Sequence, residues 1–173
     1  LPKVEGAVSS VQTSDIEALN DASSVAQKSI LETALPDHVV SAIRSAYEGL
    51  ELGAVSVRSS ASAEDLPDAS FAGQYDSFLN VLSLDQVVER VLDVWACLYS
   101  PQAIAYRSRN GIAHDGARMA VVVQRQLHPD AAGVLLTRDP MTGSNHFVVN
   151  AAPGLGEGVV TGTVSADRFL LEP

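Results

Sequence analysis

VSVRSSASAEDLPDASFAGQYDSFLNV, residues 55–81, carries more of the fold than any other stretch of the chain. The apolar run Ala54, Val55, Val57 predicts a strand over 54–58 that delivers Arg58 into small, hydroxylated and acidic residues. A loop is expected to about residue 72, and after Gly73 a second extended run near 74–81. Arg58 then sits where a strand ends and a loop begins, which suits a guanidinium gripping an anion. The plainer alternative is a solvated connector in which Arg58 pairs with Glu64 or Asp65.

Upstream, residues 1–13 show no periodicity and read as a loop or a frayed start. Ser14 precedes a helical stretch over 15–33 whose apolar members are Ile16, Leu19, Val25, Ile30 and Leu31. Val39, Val40, Ile43, Tyr47 and Leu50 recur at helical spacing over 36–50, with Gly49 and Gly53 closing that helix. Downstream, Ser83 and Gln86 form a capping-box pattern for a helix to about Tyr99. Leu84, Val87, Val88, Val91, Leu92, Trp95 and Leu98 make its core face. Ser100-Pro101 reads as N-cap and N1 of a helix ending near Asn110-Gly111. Short β-rich runs follow at 119–124, 133–137, 147–150 and 169–171. The expected class is α+β, a helical first half followed by an antiparallel-leaning sheet.

A chain of 173 residues, 46% hydrophobic and 18% charged, can bury one respectable core. No run approaches the roughly 18 apolar residues a membrane helix needs, and no secretory signal pattern opens the sequence. Cys97 stands alone in a helical apolar pattern, so it reads as core filler in a reducing, cytoplasmic setting. A net charge of −10 argues against a nucleic-acid surface. Lysine occurs only at Lys3 and Lys28, so any phosphate held beyond them needs arginines, backbone amides or a lysine from elsewhere.

The acidic group Glu64, Asp65, Asp68 reads as a solvated loop more readily than as a metal site. His38, His114, His128 and His146 lie far apart without a zinc-ligand spacing, and no P-loop or G-x-S-x-G occurs. Two segments carry more weight. In VVVQRQLHPDAAGVLLTRDP, residues 121–140, Gln124 ends a strand where an amide can read a purine edge, and Arg138 ends the next, mirroring Arg58. After strand 147–150 comes Pro153-Gly154-Leu155-Gly156-Glu157-Gly158, whose glycines permit close backbone approach to a ligand and whose Glu157 can face a cation. Such a run is also a common plain turn. Two strand-ending arginines, a glutamine and a Gly-rich acidic loop together point to a polyanionic ligand.

VRSSASAEDLPDASFAGQYDSFLNV closely resembles the signature of the ATP-binding domain shared by phosphoenolpyruvate synthase, pyruvate phosphate dikinase and the rifampicin phosphotransferases. VVVQRQL, AAGVLLTRDPMTG, GLGEGVVTG and SADRFLLEP resemble its successive later blocks, so the likeness covers about residues 36–173. The resemblance implies an ATP-grasp-like nucleotide-binding module, incomplete at both ends. Residues 1–53 would be its helical N-terminal segment and 54–173 its ATP-binding portion.

The resemblance further implies ATP and Mg2+ as cofactors. It implies transfer of the ATP β-phosphoryl group to a histidine on a separate swivelling domain, then to pyruvate on a substrate domain. A rifamycin hydroxyl is the acceptor in the antibiotic-inactivating relatives. By motif position Arg58 falls on the phosphate-binding, catalytic arginine. Gly73 and Ser77 fall on residues lining the triphosphate, and Gln124 falls near the adenine. Arg138 and Glu157 are pocket candidates, and no metal ligand is assigned. The family's phosphate-gripping lysine and metal-binding acidic pair have no counterpart in these residues, so the chain by itself is expected to lack transferase activity. A stand-alone nucleotide-sensing module is the alternative.

Overall fold

A computed structural model describes residues 2–8, 11, 15–49, 53–61, 65–66, 69–70, 77–115 and 117–172, with backbone alone at 2, 3, 5, 61, 65, 66, 69 and 70. In chain order the elements are α1 (Pro2–Val8), α2 (Ile16–Leu31), α3 (Asp37–Glu48), β1 (Val55–Ala61), β2 (Asp65–Leu66), β3 (Ala69–Ser70), β4 (Ser77–Val81), α4 (Leu84–Cys97), α5 (Pro101–Arg109), β5 (Met119–Arg125), β6 (Ala131–Leu136), β7 (Phe147–Pro153), α6 (Glu157–Thr161) and β8 (Asp167–Leu171). The α+β class expected from the sequence is the class observed. The chain forms two compact units, Leu1–Gln126 and Leu127–Pro173.

The helix boundaries follow local chemistry. Asp15 caps α2 by accepting from the Ala18 amide at 3.0 Å. Ser83 caps α4 by accepting from the Gln86 amide at 3.3 Å. The reciprocal arm of that box lands one residue early, since Gln86 Oε1 accepts from the Leu82 amide at 2.8 Å. Ser100 accepts from the Ala103 amide at 3.2 Å, with Pro101 in the first turn where its missing N–H costs nothing.

Three sequence expectations are corrected. Residues 2–8 form α1 rather than a loop, because Val4 and Val8, one turn apart, bury against α2. On α2 the buried face is Leu19, Ala22, Ser23, Ala26 and Ile30, while Ile16, Val25 and Leu31 are exposed. Alanines let the neighbouring helices approach closely, so small residues outrank larger ones there. Within the expected 58–72 loop, Asp65–Leu66 and Ala69–Ser70 pair as a short antiparallel ladder.

Two apolar clusters hold the first unit. One joins α1, α2, the end of α4 and α5 through Val4, Val8, Leu19, Ile30 and Ile104. The other seats Val55, Val57 and Val81 of the sheet on Val87, Val91 and Val94 of α4. That sheet has the order β4-β1-β5, antiparallel throughout. Cys97 is buried, as core filler should be. In the second unit β6-β7-β8 form another antiparallel sheet, with α6 lying on β6 and β7.

Candidate functional site

Strand alternation divides the β4-β1-β5 sheet into two unlike faces. Val55 and Val57 point toward α4 and are fully buried, while Arg58 between Val57 and Ser59 points the other way and is exposed. Pairing register places further residues on the Arg58 face. Ser77 of β4 lies directly opposite Arg58 on one side, and Val122 of β5 lies opposite it on the other. Gln124, exposed, pairs with Ser56 one step further along the same face. Three of the six residues singled out from sequence therefore share one sheet surface.

Arg58 is not at a strand end. The ladder with β5 continues through Ser59, Ser60 and Ala61 to Met119, so Arg58 is central in β1. This corrects the expected 54–58 strand: serines sustain a ladder perfectly well once a partner strand supplies the hydrogen bonds. The consequence is mechanical. A mid-strand arginine flanked on both sides has its backbone fixed, and only the side chain is free to follow a ligand. Among the described residues Arg58 makes no ion pair. Gly73, Glu64 and Asp68 lie outside the described residues, as does the side chain of Asp65.

The opposite face of this sheet holds an apolar cleft of 560 Å³ between α3, α4 and β5, lined by Ile43, Tyr47, Val91, Trp95 and Val121 among others. It has no charged lining and lies on the wrong side of β1 for Arg58, so it is not where an anion would sit.

Arg138 and Glu157 belong to the second unit, and the structure does not bring them together. Arg138 follows the C-terminal end of β6, two residues beyond Leu136. Glu157 opens α6 beside Gly156, which approaches Ala132 at the other end of β6. Six residues of strand separate these positions by about 15–20 Å. The Gly-rich run also has structural work to do. A Cβ on Gly158 would meet Val164 Cγ1 at 2.9 Å, and Gly162 closes α6 in the left-handed region at φ +71°.

Sequence reading overlooked Asp139. Its buried carboxylate accepts from the Met141 amide at 2.9 Å, from Thr142 Oγ1 at 2.9 Å and from Arg168 Nη2 at 3.0 Å. The loop closes on itself through Gly143 N–H to Asp139 O at 2.8 Å. The Met141 amide foremost, joined by the Thr142 hydroxyl and the Arg168 charge, holds the Asp139 carboxyl below the usual aspartate range, while burial acts the other way. A depressed folded value means the stabilisation is complete above the ordinary value of about 4 and is lost as pH falls through the lower folded one. Asp139→Asn is therefore expected to lower the urea midpoint at pH 7, with the gap from wild type closing in strong acid. A gap that persists unchanged there would show that charge is not the cause. The available signal was an aspartate before proline in a turn with Thr and Gly close behind.

Among the described residues no group of three or more His, Cys, Asp or Glu could hold a metal ion. The Mg2+ that the resemblance implies would need fewer protein ligands than that, since with a nucleotide it is usually held by one or two carboxylates together with phosphate oxygens.

Residues 2–173 match the pyruvate phosphate dikinase AMP/ATP-binding domain. The chain is 43% identical over 164 residues to a rifampicin phosphotransferase of Streptomyces sviceus, covering 94% of this chain and 19% of that protein. It is 38% identical over 164 residues to a rifampicin phosphotransferase of Bacillus subtilis, with 94% and 19% covered. It is 36% identical over 172 residues to a phosphoenolpyruvate synthase of Pyrococcus furiosus, with 95% and 21% covered. The chain belongs to the pyruvate phosphate dikinase AMP/ATP-binding domain family. It spans about a fifth of the length of each of these relatives. Among the described residues no helix is long and apolar enough to cross a membrane.

Proposed function

We propose that this chain is the ATP-binding portion of a phosphoenolpyruvate-synthase-like phosphotransferase, built on an ATP-grasp-like scaffold. The observation that carries the reading is the shared sheet face: Arg58 opposite Ser77, with Gln124 on the adjoining strand. Diagonal neighbours across two strands lie about 7–8 Å apart at Cα. With side chains extended, that spacing suits one group meeting phosphate while the other meets the base. Arg58 offers forked, permanently charged donors to phosphate oxygens. Ser77 adds a hydroxyl, and Gln124 can both donate to and accept from a purine edge. Gly73, Arg138 and Glu157 remain proposed pocket residues on motif position alone.

In the proposed reaction a histidine nitrogen on a separate domain attacks the β-phosphorus. The bond from that phosphorus to the α,β-bridging oxygen breaks and AMP leaves. Water then cleaves the γ-phosphate as inorganic phosphate, and the phosphohistidine passes its phosphoryl group to pyruvate. Phosphoryl transfer of this kind depends mostly on positioning and charge neutralisation, which Arg58 and Ser77 would supply. A rifamycin hydroxyl as acceptor is the second reading, supported by the relatives named rifampicin phosphotransferase at 43% identity.

Single-turnover labelling of the full-length polypeptide tests this. ATP labelled at the β position should leave label on protein, and ATP labelled at the γ position should yield only free phosphate. A chase with pyruvate or with rifampicin then identifies the acceptor by which one removes the label. Label from the γ position that stays on the protein after phosphate release is complete, or no label from either position, overturns the proposal.

A further inference from the structure

The pairing of β1 with β4 slips by one residue. Val55 faces Val81, yet Val57 faces Phe78, so β4 spends one more residue than β1 over that interval. The extra residue is accommodated where Asn80 takes φ +56°, and among the described residues no other non-glycine has positive φ. Asparagine enters the left-handed region at small cost, whereas β-branched residues hardly enter it. A bulge of this kind re-aims every side chain beyond it.

The re-aiming decides the candidate site. Continued without the extra residue, the Val55–Val81 register would set Phe78 opposite Arg58. Ser77 would then lie opposite Ser59, on the face covered by α4. With the bulge, Phe78 packs into the valine cluster under the Arg90 guanidinium, 5.0 Å from its ring centroid, and Ser77 stands beside Arg58. The same segment without a left-handed residue at 80 would put an aromatic ring beside the arginine and bury a hydroxyl.

We propose that Asn80 is a positioning residue for phosphate binding: its left-handed bulge sets the register that pairs Ser77 with Arg58 and keeps Phe78 off that face. This rests on the nucleotide-binding reading above, and its test separates the two. Mg·ATP is titrated calorimetrically into the full-length polypeptide and its variants well below their unfolding temperatures. Asn80→Val is expected to weaken binding at least tenfold, Asn80→Ala less, and Asn80→Gly and Asn80→Asp by less than threefold, because both tolerate positive φ. Asn80→Ala carries the test if the valine variant does not fold. Ile104→Ala, which opens a cavity in the separate α2–α5 cluster, controls for loss of stability alone and should leave affinity within threefold. The inference is overturned if the valine and alanine variants bind like wild type, if glycine binds no better than valine, or if Ile104→Ala weakens binding equally. Arg58→Ala tells the two apart. If it weakens binding while the residue-80 variants do not, only the inference falls; if it has no effect, the nucleotide reading falls and takes the inference with it.

Discussion

On the proposed function, replacing Arg58 by alanine in the full-length polypeptide is expected to cut ATP-dependent phosphoryl transfer by about 10²-fold or more. A charged donor aimed at developing phosphoryl charge typically contributes several kcal/mol, and 10²-fold corresponds to about 2.7 kcal/mol. The fold should survive the change. Arg58 is exposed, makes no ion pair among the described residues, and its backbone is held by ladders on both sides. Arg58→Lys should recover only part of the loss, since an ammonium keeps the charge but not the planar fork. Activity of the alanine variant within threefold of wild type would remove Arg58 from the chemistry and leave Ser77 and Gln124 without their partner in the argument.

The second large effect concerns stability and a different arginine. Arg107 on α5 is 1% exposed, with its guanidinium donating to the Leu98 carbonyl and, at 3.1 Å, to His114 Nδ1. Its Cζ lies over the Tyr99 ring, 5.5 Å from the centroid. Arg107→Ala removes this packing, leaves the Leu98 carbonyl without that donor, and opens a cavity. These losses together should cost about 3 kcal/mol or more, a large part of the roughly 5–15 kcal/mol that stabilises a typical domain. Denaturant unfolding followed by Trp95 fluorescence measures it. A loss below about 1 kcal/mol would mean the neighbours collapse into the space.

The same substitution has a pH signature. Burial, then the Arg107 charge, hold the His114 ring below the ordinary histidine value, against a smaller raising effect of Asp115. The folded state therefore disfavours the imidazolium. As pH drops below about 6.5 the unfolded chain takes up a proton that the folded chain refuses, and stability declines until the folded value is passed. Taking away Arg107 should let the ring titrate closer to 6.5, visible as a shifted NMR titration of its ring protons.

Much of the chain was legible from local chemistry. Asp37–Glu48, Leu84–Cys97 and Pro101–Arg109 are helices close to where hydrophobic spacing and caps placed them, because Ser83 and Ser100 bond amides within their own turn. Short-range signals of this kind need no knowledge of the rest of the molecule. Reading failed where the deciding partner is distant in sequence. The seven residues of α1 are too few for periodicity to show, and α2 supplies the surface they need. Serines 59 and 60 looked like loop until Ala120 and Val121, some sixty residues on, turned out to hold them in a ladder. Asp139 drew no notice in the sequence because Arg168, its charged partner, is 29 residues away.

The family motif and alternation by themselves determined that Arg58, Ser77 and Gln124 are residues of interest on extended backbone. Only the tertiary structure decided that they share a face. Side-chain direction in a strand has a period of two, so a single extra residue in β4, absorbed at Asn80, reverses which of Ser77 and Phe78 joins the arginine. Composition is blind to that slip, and hydrogen bonds between strands are what fix it.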